Sequence, residues 1–122
     1  MDYKITLLGR EYPARFTLRV AMKAAERRGG SLGKLLRNEN QVELLEDICW
    51  LAVEMIKAGA AIRERETGMM TPEIPTVDAL LDGIDFADVM ALQAQILTVI
   101  NKDEPSVRAE GQGKNMEATP AT

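Results

Sequence analysis

Histidine is absent from the 122 residues, and cysteine occurs once, as Cys49. The lack of histidine removes the commonest general base and the commonest transition-metal ligand. One cysteine without histidine cannot supply a zinc site, and a disulfide framework within the chain is excluded. Aromatics make up only 4% of residues, with Trp50 the single tryptophan, so the expected core is aliphatic and methionine-rich. No apolar run approaches the roughly 18 residues of a membrane span. The start MDYKITLL also lacks a basic region followed by a long apolar one. The chain therefore reads as a cytosolic protein with no membrane partner, no metal and no cofactor.

Phosphate chemistry is missing as well. Gly29-Gly30-Ser31-Leu32-Gly33 is not followed by the Lys-Ser/Thr of a phosphate loop, and it follows a helical pattern rather than a strand. The acids Glu43, Glu46, Asp47 and Glu54 lie opposite or beside an apolar stripe and are expected to be solvated. Cys49 falls on that stripe and is expected to be a packed thiol. No enzyme is expected.

What the sequence does hold is one long amphipathic segment. From Asn40 to Glu66, Val42, Leu45, Ile48, Cys49, Ala52, Met55, Ile56, Gly59 and Ile62 recur at spacings of three and four. As a helix this segment runs on the order of 40 Å, the spine of a small domain. Asn40 followed by Glu43 resembles a capping box.

Ahead of it, Tyr3, Ile5 and Leu7 alternate with polar residues. Gly9-Arg10-Glu11 is the expected turn, and Tyr12, Ala14 and Phe16 form a second alternating set. Pro13 cannot donate to a ladder, so the second strand should be short or at an edge. Thr17 is the expected N-cap of a helix over residues 18–28, with Leu18, Ala21, Met22 and Ala25 inside and Arg19, Lys23 and Arg27 stacked outside. Ser31 caps a short helix through Leu36. After the long helix, Gly68 to Pro75 is a loop holding Met69 and Met70. Thr76 caps a short helix over 77–81, and Asp85 caps the last one, Phe86 to about Lys102. The inner face of that helix is assigned to Phe86, Val89, Met90, Ala94 or Gln93, Ile96, Leu97 and Ile100. Residues 103–122 lose all periodicity and read as a disordered tail. The fold class is α+β and mainly helical: an N-terminal hairpin packed on three to four helices in one domain, 1–102, then the tail 103–122.

Charge is uneven. Residues 1–40 hold nine basic and four acidic residues, net +5, whereas 41–122 hold six and fifteen, net −9. Two readings fit: faces that differ in sign, or a basic end that meets the acidic end of another copy in rings or spirals. The Arg19–Lys23–Arg27–Arg28 stripe can be an exposed helix face or a nucleic-acid contact, and overall acidity and the lack of a recognised nucleic-acid module argue against the second. Met69 and Met70 either fill gaps or form an adaptable partner-binding surface. Arg19, Lys23, Arg27, Trp50, Met69 and Met70 are the candidate partner-binding set.

The run Ile5-Thr6-Leu7-Leu8-Gly9-Arg10-Glu11-Tyr12-Pro13-Ala14-Arg15-Phe16-Thr17-Leu18-Arg19 resembles the N-terminus of tail assembly chaperones of long-tailed phages and prophages. Further likeness lies in element order: a helix with Glu26 near its end, the Gly29 to Leu36 break and short helix, then the long helix from Gln41 to Glu66. The resemblance covers about residues 3–66. It implies a non-enzymatic assembly factor in the host cytoplasm that coats the tape measure protein, helps tail tube protein polymerise around it, and is absent from the finished particle. It also implies a longer form made by ribosomal frameshift. Gln112-Gly113-Lys114 can be encoded CAG GGA AAG, which contains the slippery heptamer G-GGA-AAG. A head–tail adaptor or minor tail subunit retained in the virion is the alternative.

Overall fold

A computed structural model describes residues 3–29 and 31–103. The chain is mainly helical, with one antiparallel hairpin of β1 (Lys4–Leu7) and β2 (Arg10–Pro13) at its start. Five helices follow: α1 (Leu18–Arg27), α2 (Leu32–Leu36), α3 (Gln41–Thr67), α4 (Val77–Gly83) and α5 (Phe86–Asp103). The expected α+β class is what the chain adopts. The tail expected from residue 103, and with it the Gln112–Lys114 segment, lies outside the described residues apart from Asp103, which ends α5.

The turn is tighter than Gly9-Arg10-Glu11. Leu8 and Gly9 alone connect the strands, both at positive φ (51° and 80°), and Arg10 pairs with Leu7. Two left-handed residues match the twist of a two-residue hairpin, so Leu8 adopts a backbone that leucine ordinarily avoids. Ile5, Leu7, Tyr12, Ala14 and Phe16 point inward and are buried, as their alternation predicts. Beyond β1, Gln95 of α5 acts as a substitute strand. Thr6 N–H donates to Gln95 Oε1 at 2.8 Å, and Gln95 Nε2 donates to the Thr6 carbonyl at 3.5 Å. The exposed edge is thereby covered at that residue.

Helix starts follow local hydrogen bonding. Thr17, Ser31, Asn40 and Thr76 each accept, through the side chain, the N–H of the residue three further on. Asp85 does the same for Asp88, whose carboxylate accepts the Asp85 N–H in return. At α3 the reciprocal bond is displaced: Asn38 Oδ1 accepts the Asn40 N–H, and Glu43 accepts from Asn38 Nδ2 instead.

α3 is the spine, touched by both strands and by every other helix. Ile48, Leu51, Met55 and Ile56 are fully enclosed, each stabilising the fold by about 2 kcal/mol relative to exposure. The hairpin crosses α3 at Gly59. Arg15 N–H donates to the Met55 carbonyl at 3.0 Å, so strand exit and helix share one acceptor.

Two inner faces differ from those read in the sequence. In α1 the buried residues are Val20 and Ala24, with Ala21 partly covered, while Leu18 and Met22 are 78% and 56% exposed. The helix carries small or apolar residues at six of positions 18–25, which accommodate more than one stripe. Its contact with α3 selects the one with the smaller side chains. In α5 the core residues are Val89, Leu92, Ile96, Val99 and Ile100, whereas Phe86, Met90 and Leu97 face outward. Val42, expected on the α3 stripe, lies in the first turn beyond the packed layer and is exposed.

Candidate partner-binding surface

The six residues singled out from the sequence do not form one surface. Arg19 is exposed on α1. Lys23 Nζ lies 3.2 Å from Glu54 Oε1 on α3, and Glu54 also meets Lys57 at 3.5 Å. Arg27, expected on the outer stripe, turns toward α3, where its Nε donates to Asp47 Oδ1 at 2.6 Å. Its guanidinium stacks over the Trp50 ring at 4.6 Å from the centroid. Trp50 therefore sits half-buried against the core beneath a cation, an arrangement that positions α1 on α3.

Asp47 is a correction to the sequence reading, which placed it among solvated acids. It is 0% exposed and is the buried charged residue of the described core. Arg28 grips it with a fork, Nε to Oδ2 at 2.8 Å and Nη2 to Oδ1 at 3.1 Å, while Arg27 supplies the third hydrogen bond. A buried carboxylate is tolerated only when its lone pairs are matched in this way. Arg28 extends to Glu43 at 3.6 Å and Glu46 at 3.5 Å. Its pKa is raised above the ordinary arginine value, chiefly by the hydrogen bond to Asp47, so it stays charged at any working pH. The signal available in the sequence was the Arg27-Arg28 pair at the end of one helix followed by three acids at 43, 46 and 47. What it lacked was a partner for any of them. The difference in sign between the two parts of the chain is thus partly satisfied within one molecule.

Met69 and Met70 are held out from the body. Gly68 closes α3 in the left-handed conformation, with its N–H donating to the Glu64 carbonyl. Thr67 Oγ1 donates to the Arg63 carbonyl at 2.7 Å and accepts the Met69 N–H at 3.1 Å. This ordered turn presents both methionines to solvent, with Met70 75% exposed. Further along, Tyr12 Oη donates to the Glu73 carbonyl at 3.4 Å and ties the loop to the hairpin.

Sequence reasoning missed six outward apolar positions by assigning them to inner faces: Leu18 and Met22 on α1, Val42 on α3, and Phe86, Met90 and Leu97 on α5. Leu18 and Met22 lie one turn apart beside Arg19, Lys23 and Glu26, and all five line a shallow groove. Cys49 is buried, and loss of hydration pushes its thiol pKa above the ordinary 9.0, which suppresses the thiolate needed for nucleophilic work. Among the described residues no group of three acids, histidines or cysteines is placed to hold a metal ion, and no helix is long and apolar enough to cross a membrane. The arrangement leaves apolar side chains outside and ties several charges up between α1 and α3. Comparison with family models, with curated proteins and with solved structures returns no match.

Proposed function

We propose that the chain is a non-enzymatic tail assembly chaperone of a long-tailed phage or prophage, working in the host cytoplasm. In this reading it binds the tape measure protein, keeps that long helical protein soluble, and assists tail tube subunits to assemble on it. The observation that carries the reading is the placement of large apolar side chains in water on several elements: Leu18 and Met22 on α1, Met69 and Met70 in the loop, Phe86 and Leu97 on α5. Scattered single exposures are ordinary, but Leu18 and Met22, which share one groove, and the adjacent Met69 and Met70 make local apolar patches of the kind that mark contact sites. Several shallow apolar contacts suit an extended helical target better than one deep pocket does. Methionine, flexible and polarizable, adapts to varied partner surfaces. The N-terminal resemblance supplies the identity of the target, and self-association around it belongs to the same proposal.

Co-expression provides the test. The tape measure protein encoded beside this gene should be soluble and co-purify with the chain, and should precipitate without it. Mass spectrometry of purified particles should find the chain missing. Stoichiometric presence in virions would instead establish a head–tail adaptor or minor tail subunit.

A further inference from the structure

The outer corner formed by α4 and the start of α5 combines apolar exposure with charge of a single sign. Leu81, Phe86 and Met90 are solvent-exposed there. Beside them opens a pocket of about 180 Å³, walled by Leu81, Ile84, Phe86 and Val89 with Leu45 and Cys49 of α3 at its back. Asp85 lines it, Asp78 and Asp82 are exposed on α4 and Asp88 on the first turn of α5, and no lysine or arginine occurs in the sequence between Arg65 and Lys102. None of the four carboxylates has an ion-pair partner among the described residues.

We propose that this corner docks a cationic amphipathic segment of another protein, one apolar side chain entering the pocket while flanking lysines or arginines meet the aspartates. The volume decides the size of what enters. Small-molecule sites enclose about 300–1,000 Å³, so this pocket is too small for one and suits a single anchoring side chain. Charge decides the rest of the partner. A neutral apolar segment would strip water from the aspartates without replacing it, and an acidic one would be repelled. A second copy of this chain is a poorer match, because its own exposed apolar ridge offers, among the described residues, one unengaged cation, Arg19: Lys23 is paired with Glu54, and Glu26 brings an acid into the same groove. The inference stands apart from the chaperone reading and holds for any protein partner of this chemistry.

The probe is a fluorescent synthetic amphipathic helix of leucine and lysine, titrated with the full chain and followed by anisotropy, beside its leucine–glutamate counterpart. The lysine peptide should bind and the glutamate peptide should not. Phe86→Ser, and separately the pair Asp78→Asn with Asp82→Asn, should each weaken binding at least tenfold, whereas Glu66→Gln, away from the corner, should leave it unchanged. Circular dichroism checks that each variant is folded. Equal binding by the corner variants, or by the two peptides, overturns the proposal. So does a concentration-dependent oligomer of the chain alone that Phe86→Ser dissolves, since a second copy would then be the occupant.

Discussion

Gly59 and Ala14 meet backbone to backbone: a Cβ built on Gly59 would lie 2.5 Å from the Ala14 nitrogen and 2.7 Å from its Cα. The hairpin can cross α3 at this depth only because the helix presents no side chain there. Replacing Gly59 with alanine gains about 0.5–1 kcal/mol of helix propensity. Displacing a hydrogen-bonded backbone costs typically about 1–3 kcal/mol or more. Gly59→Ala is therefore expected to lower the urea midpoint. Gly33→Ala in α2, where the nearest side-chain atom would stand at 3.8 Å, should leave the midpoint unchanged or raise it. A neutral Gly59→Ala would refute the close crossing.

Asp47 joins α1 to α3. Asp47→Ala removes the carboxylate that Arg27 and Arg28 share, while Arg28 keeps Glu43 and Glu46, so the cost should exceed the roughly 0–1 kcal/mol of an exposed pair. Chemical denaturation should register a loss above that range. Trp50 fluorescence should also shift, since the cation over its ring loses its anchor. A loss below about 1 kcal/mol, the range of exposed pairs, would mean the carboxylate is solvated after all.

The phase of α5 is open to a paired comparison. Ile96 is enclosed and its neighbour Leu97 is exposed. Ile96→Ala should cost about 2–5 kcal/mol and Leu97→Ala well under 1 kcal/mol, read from thermal or urea unfolding. Comparable losses at both positions would restore the inner face expected from the sequence, which held Ile96 and Leu97 alike.

Cys49 makes stability depend on alkaline pH. Its folded pKa is raised by burial, so the folded state holds the proton longer than the unfolded state. That contribution is fully present below the unfolded value near 9.0 and is lost as pH rises through the folded pKa. Stability should therefore fall faster above pH 9.0 in the native protein than in Cys49→Ala, compared by urea titration across that range. Parallel curves for the two proteins would refute it.

Gln95 protects the edge of β1. Gln95→Ala should expose the Thr6 amide, raising its hydrogen-exchange rate and costing about 1 kcal/mol for the lost bonds. Unchanged exchange at Thr6 would show that the edge needs no cover.

Local chemistry made much of this fold legible in the sequence. Thr17, Ser31, Asn40, Thr76 and Asp85 were readable as caps because each bonds an N–H three residues away, within reach whatever the rest of the chain does. Hairpin alternation and the long α3 stripe were readable for the same reason. Of the candidate contacts, Arg19, Lys23, Met69 and Met70 are exposed, Lys23 while paired with Glu54 of α3, whereas Arg27 reaches from α1 to Asp47 and covers Trp50 of α3.

Which face α1 and α5 turn inward was decided by tertiary structure. α1 offers apolar residues on more than one stripe. Only its approach to α3, with Arg27 and Arg28 closing on Asp47, selects Val20 and Ala24 and leaves Leu18 and Met22 in water. Helix ends answer to near neighbours along the chain, so composition and spacing settle them. Burial of a carboxylate, or the absence of a side chain at residue 59, gains its meaning from groups far away in sequence, and only folding brings those together.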